Sequence, residues 1–361
     1  MKAAVLRKVG QPLSIEELRI DHPGPREVVV RTVATGVCHS DLHVIDGALP
    51  NPLPIVLGHE PAGVVERVGA EVRHVAPGDH VIGCLSAFCG TCEYCLAGRP
   101  YLCDGAALVR RPDEPPRLAK DGEPIAQFAH LSAFAERMLV HENALVGIRK
   151  DVLLDRVALI GCGVTTGLGA VFNRAGVRPG RSAVVIGCGG IGLSVVQGCR
   201  IAGAGRIVAV DTMPWKLELA TSLGASDAVN GAEGNPVPAV IEVTGGGADY
   251  AFEAIGTSAT VRQAVRMTRK GGTTVMIGVA PAGTNVELPG ADVVLREKTI
   301  LGCMMGSNRF RIDMPRYVEL YRSGALKLDE MISARLPLER VNEAFDSMRR
   351  GTAARSVVVF D

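Results

Sequence analysis

Aromatic residues are scarce, at 4% of this 361-residue chain with a single tryptophan, which argues against a surface that stacks nucleobases. An excess of one charge is missing too. Lys and Arg number 39 against 38 Asp and Glu, a formal net charge of +1, so no field draws the chain to nucleic acid or an anionic membrane. No stretch reaches the roughly 18 consecutive apolar residues that suggest a membrane span. At the N-terminus, Met1-Lys2-Ala3-Ala4-Val5-Leu6 returns to charge at Arg7 and Lys8, without the longer apolar region of a signal peptide. A reducing, cytoplasmic setting is expected, where cysteines serve metals rather than disulfides.

Apolar residues and glycine are plentiful, at 47% hydrophobic with 43 glycines. The length suits two domains. The first third reads as short strands (28–33, 63–68 and 80–82) parted by Pro and Gly, which fits a barrel-like or sandwich domain. Residues 104–128 are rich in Pro, Arg, Asp and Gly and read as a long surface loop. From about 164, apolar strands (182–186, 206–211, 248–253, 273–278) alternate with helical patterns (193–202, 216–223, 261–267), the signature of a parallel α/β sheet. Helices at 315–323 and 341–349 and a closing strand at 356–360 complete the pattern.

Gly187-Cys188-Gly189-Gly190-Ile191-Gly192 matches G-x-G-x-x-G, follows an apolar strand and opens a helix, with Asp211 at the end of the next strand. In that context the motif predicts a dinucleotide site. Gly187 permits the tight turn, Gly189 lets a pyrophosphate reach the backbone, and Gly192 lets helix and strand pack closely. The helix N-terminus supplies free N–H groups to the phosphates. Asp211 can accept from a ribose diol and would repel a 2′-phosphate, favouring NAD over NADP; Lys216 is near enough in sequence to add a ribose contact. A glycine-rich turn with Asp211 as a helix cap is the plainer alternative.

Of ten cysteines, Cys89, Cys92, Cys95 and Cys103 read C-x2-C-x2-C-x7-C. Four thiolates at this spacing can close around one tetrahedral Zn²⁺ as a structural site. Iron in a four-sulfur site, or disulfides in an exported chain, also fit the spacing. Cys38, His59 and Cys162 lie far apart, and a lone Cys or His in such a run is more often a packed core residue than a ligand.

These motifs, in this order, resemble the zinc-dependent alcohol dehydrogenases of the medium-chain dehydrogenase/reductase superfamily. Gly58-His59-Glu60-x2-Gly63-x5-Gly69 is similar to that family's zinc signature, and the resemblance runs essentially end to end. It implies an α/β fold with a β-rich GroES-like catalytic domain (1–163), a Rossmann doubly wound parallel sheet for NAD (164–304), and a C-terminal return to the catalytic domain (305–361). It implies two zincs per subunit. Cys38, His59 and Cys162 would ligate the catalytic one with Glu60 beside them, and Asp41 would orient the His59 ring. Ser40 would receive a proton and His43 pass it on. His39, Thr166 and Arg355 match cofactor contacts, His39 and Arg355 at the pyrophosphate. Leu49, Leu85 and Phe134 match walls of the substrate pocket, and Leu85 stands where a bulky aromatic often sits. Turn capping for Ser40, a surface histidine for His43, a surface-strand arginine for Arg355 and solvated carboxylates for Asp41 and Glu60 are the ordinary alternatives.

The implied activity is reversible oxidation of medium-chain, branched or aromatic primary alcohols to aldehydes, with hydride passing to NAD. Gly122-x-Pro124-Ile125 and Phe128 resemble the long-loop branch, which includes thiol-dependent formaldehyde dehydrogenases acting on S-hydroxymethyl adducts and is mostly dimeric. A homodimer is expected, with a homotetramer as the alternative. A non-catalytic NAD-binding protein is the third reading. Cys84, Cys188, Cys199 and Cys303 are left as packing residues.

Overall fold

The computed structural model describes residues 1–361 except 106, 107 and 282. The chain divides into two compact units. The first comprises Met1–Cys162, Arg309–Gly324 and Leu328–Asp361; the second comprises Gly163–Asn308 and Ala325–Lys327.

The first unit is β-rich, as expected. Its largest sheet is built around the ten-residue strand Glu27–Gly36, a Val-rich run buried at all but two of its positions because both faces meet core. Glu60–Val68, Arg137–His141 and Arg355–Val359 all pair with it antiparallel. Two registers matter most for the chemistry. Gly36 lies opposite Glu60, and Val357 lies opposite Gly36. The chain segments just beyond these pairs, Cys38 and His59, are thereby delivered to the same end of the sheet.

The expected 104–128 loop is a partial exception. Its residues 106 and 107 lie outside the described residues, but Leu118–Lys120 pairs with Arg19–Ile20 and with Glu123–Pro124, and Ala126–Gln127 pairs with Ile55–Val56. Distant charge joins apolar burial in ordering it, with Leu118 and Ile125 in one buried cluster. Arg110 and Arg117 both ion-pair with buried Glu27, and Arg110 also reaches Asp21 at 2.6 Å. The helix expected from Pro315 instead spans Phe310–Arg322 with Pro315 inside it; the Asp313 carboxylate accepts the Arg309 N–H at 2.8 Å and secures the earlier start.

The second unit holds a six-stranded parallel sheet. Its order across the sheet is Asp227–Asn230, Arg206–Asp211, Ser182–Ile186, Ala248–Glu253, Thr268–Met276 and Thr299–Gly302. The first strand in sequence lies in the middle, and the order reverses between it and the fourth, the doubly wound arrangement expected. Among the described residues no single helix is long and apolar enough to cross a membrane.

Candidate metal and dinucleotide sites

In the first unit, Cys38 is the N-cap of the helix His39–Ile45, His59 directly precedes the strand Glu60–Val68, and Cys162 follows the short turn Ala158–Gly161. Their donor atoms and a Glu60 oxygen all lie within 4.8 Å of one another, and all four residues are buried. The three expected ligands, unremarkable as isolated residues, are one cluster.

Asp41 ties two of them together. Its Oδ1 faces His59 Nδ1 at 3.1 Å and accepts the Gly58 N–H at 2.9 Å, while Oδ2 accepts the Cys38 N–H at 3.3 Å. With Nδ1 turned to Asp41, His59 presents Nε2, which is buried and has no hydrogen-bond partner among the described residues. A fully buried ring nitrogen without a partner is costly unless a cation takes its lone pair. Two sulfurs and one imidazole nitrogen around such a point are the donor set of an open zinc site.

Proton placement in the pocket is uneven. A hydrogen bond from Cys162 holds the Cys38 thiol well below its usual range, and the same bond pushes Cys162 well above it. Burial disfavours a charged His59 ring, but the negative charges of Asp41 and Cys38 outweigh it and raise His59 well above 6.5. Metal binding displaces such protons, because thiolate and neutral imidazole are the binding forms.

Arg355 was expected at the cofactor pyrophosphate. It is 6% exposed and ion-paired with Glu60 Oε2. The register explains it: a Cβ on Gly36 would collide with Glu60 Oε2 and lie 2.9 Å from Arg355 Nη2, so the missing side chain makes room for the pair. Burial lifts the Glu60 carboxyl to about 7 even against the Arg355 charge. Glu60 Oε1 is buried without a partner among the described residues.

Ser40 Oγ lies 3.8 Å from Cys38 Sγ. His43 is one turn further along the same helix, its ring centroid 6.5 Å from that of exposed His39. Phe128 meets the His59 ring edge-on at 5.4 Å, and Ala129, His130 and Ser132 after it all hold positive φ. Three non-glycine residues in that region mark a strained turn. Sequence reasoning noted Phe128 only as part of the long loop, since nothing in its spacing links it to His59. The pocket-wall residues are not alike. Phe134 is fully buried in the core against Phe345. Leu85 packs against a different apolar cluster, and Leu49 is exposed.

The second donor group is Cys89, Cys92, Cys95 and Cys103, half-buried at the surface. Sγ of Cys95 lies 3.5 Å from that of Cys92 and 3.9 Å from that of Cys89, close to the ~3.8 Å edge of a tetrahedron with 2.3 Å Zn–S bonds. Backbone N–H groups of Thr91 and Cys92 donate to Cys89 Sγ, and those of Cys89 and Gly105 to Cys103 Sγ. These bonds favour thiolate, and the Thr91 N–H leads in lowering Cys89 to about 6. Cys84, Cys188, Cys199 and Cys303 are buried and free.

In the second unit, Gly187-Gly192 forms the turn from the strand Ser182–Ile186 into the helix Gly190–Ile201. Gly187 has φ +91°, and Ile255 fills the space its side chain would need. Gly189 has nothing within 4 Å of a built Cβ, leaving an open approach to the backbone. Asp211 stands at the end of the next strand, accepting from the N–H of Cys188 at 2.7 Å and of Met213 at 3.0 Å. Gly190 and Ile191 begin the helix. Lys216 Nζ sits over the Trp215 ring, 5.7 Å from its centroid, and the Thr166 hydroxyl donates to Met305 Sδ at 3.4 Å.

Two family models match the chain: an alcohol dehydrogenase GroES-like domain over residues 24–150 and a zinc-binding dehydrogenase domain over 190–322. Over 365 residues the chain is 41% identical to an NDMA-dependent alcohol dehydrogenase of Amycolatopsis methanolica, covering 99% of this chain and 98% of that protein. It is also 41% identical over 365 residues to an S-(hydroxymethyl)glutathione dehydrogenase of Synechocystis, with 99% of each covered. The crystal structure of benzyl alcohol dehydrogenase from Acinetobacter calcoaceticus superposes with a TM-score of 0.95 at 33% identity, covering 100% of this chain and 99% of that one.

Proposed function

The chain belongs to the zinc-dependent alcohol dehydrogenase family of the medium-chain dehydrogenase/reductases, and from that premise we propose that it oxidises medium-chain, branched or aromatic primary alcohols reversibly to aldehydes, passing hydride to NAD. One observation carries the reading. Cys38, His59 and Cys162 converge from three distant segments on a buried point that His59 Nε2 faces without a hydrogen-bond partner among the described residues, in a chain that also carries the dinucleotide turn.

Bound zinc supplies a Lewis acid that favours the deprotonated alcohol oxygen, and NAD supplies the hydride acceptor. The chain's residues do the rest. Cys38, His59 and Cys162 hold the metal while Asp41 fixes the His59 tautomer. Ser40 takes the substrate proton at Oγ and His43 passes it on. Gly187, Gly189, Gly190, Ile191 and Gly192 cradle the pyrophosphate with His39 adding charge, Asp211 takes the adenosine ribose with Lys216 beside it, and Thr166 supports the nicotinamide side. Cys89, Cys92, Cys95 and Cys103 hold the structural zinc. Leu85 in place of an aromatic leaves room for benzyl and branched chains, in keeping with the benzyl alcohol dehydrogenase likeness.

Oxidation of an S-hydroxymethyl thiol adduct is the second reading, favoured by the Synechocystis relative. An NADH-absorbance screen of alcohols, with and without glutathione, separates the two. Turnover rising from ethanol to benzyl alcohol without thiol is expected. Rates falling along that series refute the pocket argument, and turnover only with formaldehyde plus glutathione selects the second reading. The working unit in this proposal is a cytoplasmic homodimer. Val279, Val294, Leu295 and Met304 are exposed on the second unit, where Thr299–Gly302 is one of the two edge strands, and such apolar side chains suit contact with a second copy. Sedimentation at dimer mass is expected; a tetramer or monomer would correct it.

A further inference from the structure

Burying a carboxylate without a cation costs folding free energy and calls for a reason. Glu253, at the C-terminal end of the strand Ala248–Glu253, is 0% exposed and makes no ion pair among the described residues. Its Oε1 accepts three hydrogen bonds, from the Ile255 N–H at 2.9 Å, the Gly256 N–H at 2.8 Å and the Thr260 hydroxyl at 2.8 Å. Its Oε2 is buried and accepts none among the described residues. One oxygen atom therefore organises the whole turn from this strand into the helix Ser258–Met267.

That turn touches the glycine motif. Glu253 lies opposite Ile186, the last residue of the strand before Gly187. The Ala254 N–H donates to Ile186 O at 2.9 Å, and Ile255 Cγ1 sits 2.5 Å from where a Cβ on Gly187 would be. On the other side the turn locks to the next loop. Glu253 O accepts the Ile277 N–H at 2.8 Å and the Gly278 N–H at 3.0 Å. Gly256, at φ +90°, packs so closely that its Cβ would lie 2.7 Å from Val279 C. Three successive loops at the C-terminal edge of the sheet are thus interlocked, with Glu253 between the outer two. The strand order reverses between Ser182–Ile186 and Ala248–Glu253, and at such a reversal a doubly wound sheet binds its nucleotide.

We propose that Glu253 is a positioning residue for the dinucleotide, acting through the 254–257 turn to keep Ile255 over Gly187 and the pyrophosphate loop in its binding shape. The proposal rests on the NAD reading above. It attributes affinity to preorganisation, since a loop already held in its bound form loses less freedom when the ligand arrives.

The test is NADH affinity by fluorescence titration of the full chain, with Tm measured in parallel. Glu253→Ala removes the acceptor and is expected to raise the Kd for NADH by about tenfold or more, as a lost preorganised network would. Glu253→Gln keeps an acceptor for all three donors. Its amide nitrogen gains no partner, so Tm falls while Kd stays within about threefold of the unsubstituted chain. Thr260→Val removes one donor and is expected to fall between, at about threefold. Wild-type affinity in Glu253→Ala, or equal losses in the Ala and Gln variants, would overturn the proposal. Should Glu253→Ala fail to fold, an unchanged Kd in Thr260→Val overturns it instead. Failure of the unsubstituted chain to bind NADH would undo the NAD reading itself, a distinct result.

Discussion

The cluster Cys89–Cys92–Cys95–Cys103 and the pocket Cys38–His59–Cys162 both offer thiolates, but they are built in opposite ways. The cluster is local and half-buried at the surface. It sits in a loop whose neighbouring apolar side chains stay in water, with Leu96 75% exposed. Backbone N–H groups of its own turns stabilise its sulfurs. The pocket is assembled from segments far apart in the chain, buried within a sheet that is folded by other means, and organised by the side chains of Asp41, Glu60 and Arg355. A metal in the cluster substitutes for a core the loop does not have. A metal in the pocket adds chemistry to a core already made.

The difference is sharpest where a ligand is removed. Cys162→Ala is expected to lower alcohol oxidation by ~10³-fold or more, because the Lewis acid is worth several kcal/mol at the transition state. Its Tm should stay within a few degrees of the unsubstituted chain. NADH formation and elemental zinc on one preparation check both halves. Cys92→Ala should do the reverse, lowering Tm on the order of 10 °C as metal-coupled folding is lost, with melting followed by circular dichroism. A large Tm loss in the first variant and none in the second would break the contrast.

A smaller effect is expected one shell out. Asp41→Asn leaves the ligands in place but weakens the hold on the His59 ring. A loss of about 10- to 100-fold in zinc affinity or turnover is the usual scale, measured by competition with a chelator. No change would remove Asp41 from the site.

Away from both donor groups lies a pH effect at His141. Burial, with the Arg26 charge adding to it, lowers this ring from 6.5 to about 4, and its Nδ1 accepts the Asn143 N–H at 3.0 Å. The folded state thus holds the neutral ring, while the unfolded chain takes up a proton below 6.5. Stability is full above that value and is lost as pH falls from 6.5 toward 4, by up to ~3 kcal/mol before solvent screening. Tm measured across that window should fall, and His141→Asn should flatten the fall.

The same contrast explains what the sequence disclosed. The cluster and the glycine motif are local patterns, so spacing alone exposes them. The strands 182–186, 206–211 and 248–253 and the helix 341–349 are equally local, and the structure places them at those residues. The pocket became visible only through its resemblance to a family, because nothing between Cys38 and Cys162 announces that Gly36 pairs with Glu60. The ion pair of Arg355 with Glu60 was hidden for the same reason, since it spans most of the chain. The 104–128 segment lacks an apolar period, yet it pairs into short strands, with Leu118 and Ile125 buried and Arg110 and Arg117 bound to Glu27 far upstream. Glu253 looked like the end of one more strand, and its importance lies in what its carboxylate gathers.

In the proposed mechanism the scattered ligands do the chemistry and the conspicuous cluster does not. Graded removal of zinc by a soluble chelator tests it directly, with zinc per chain, NADH formation from benzyl alcohol and Tm read on the same samples. With the two donor groups filled at the start, activity is expected to fall in proportion as the first zinc leaves and to reach zero at one per chain, with Tm nearly unchanged. Activity that survives to one zinc per chain and disappears only with the second, together with the fold, would contradict the assignment.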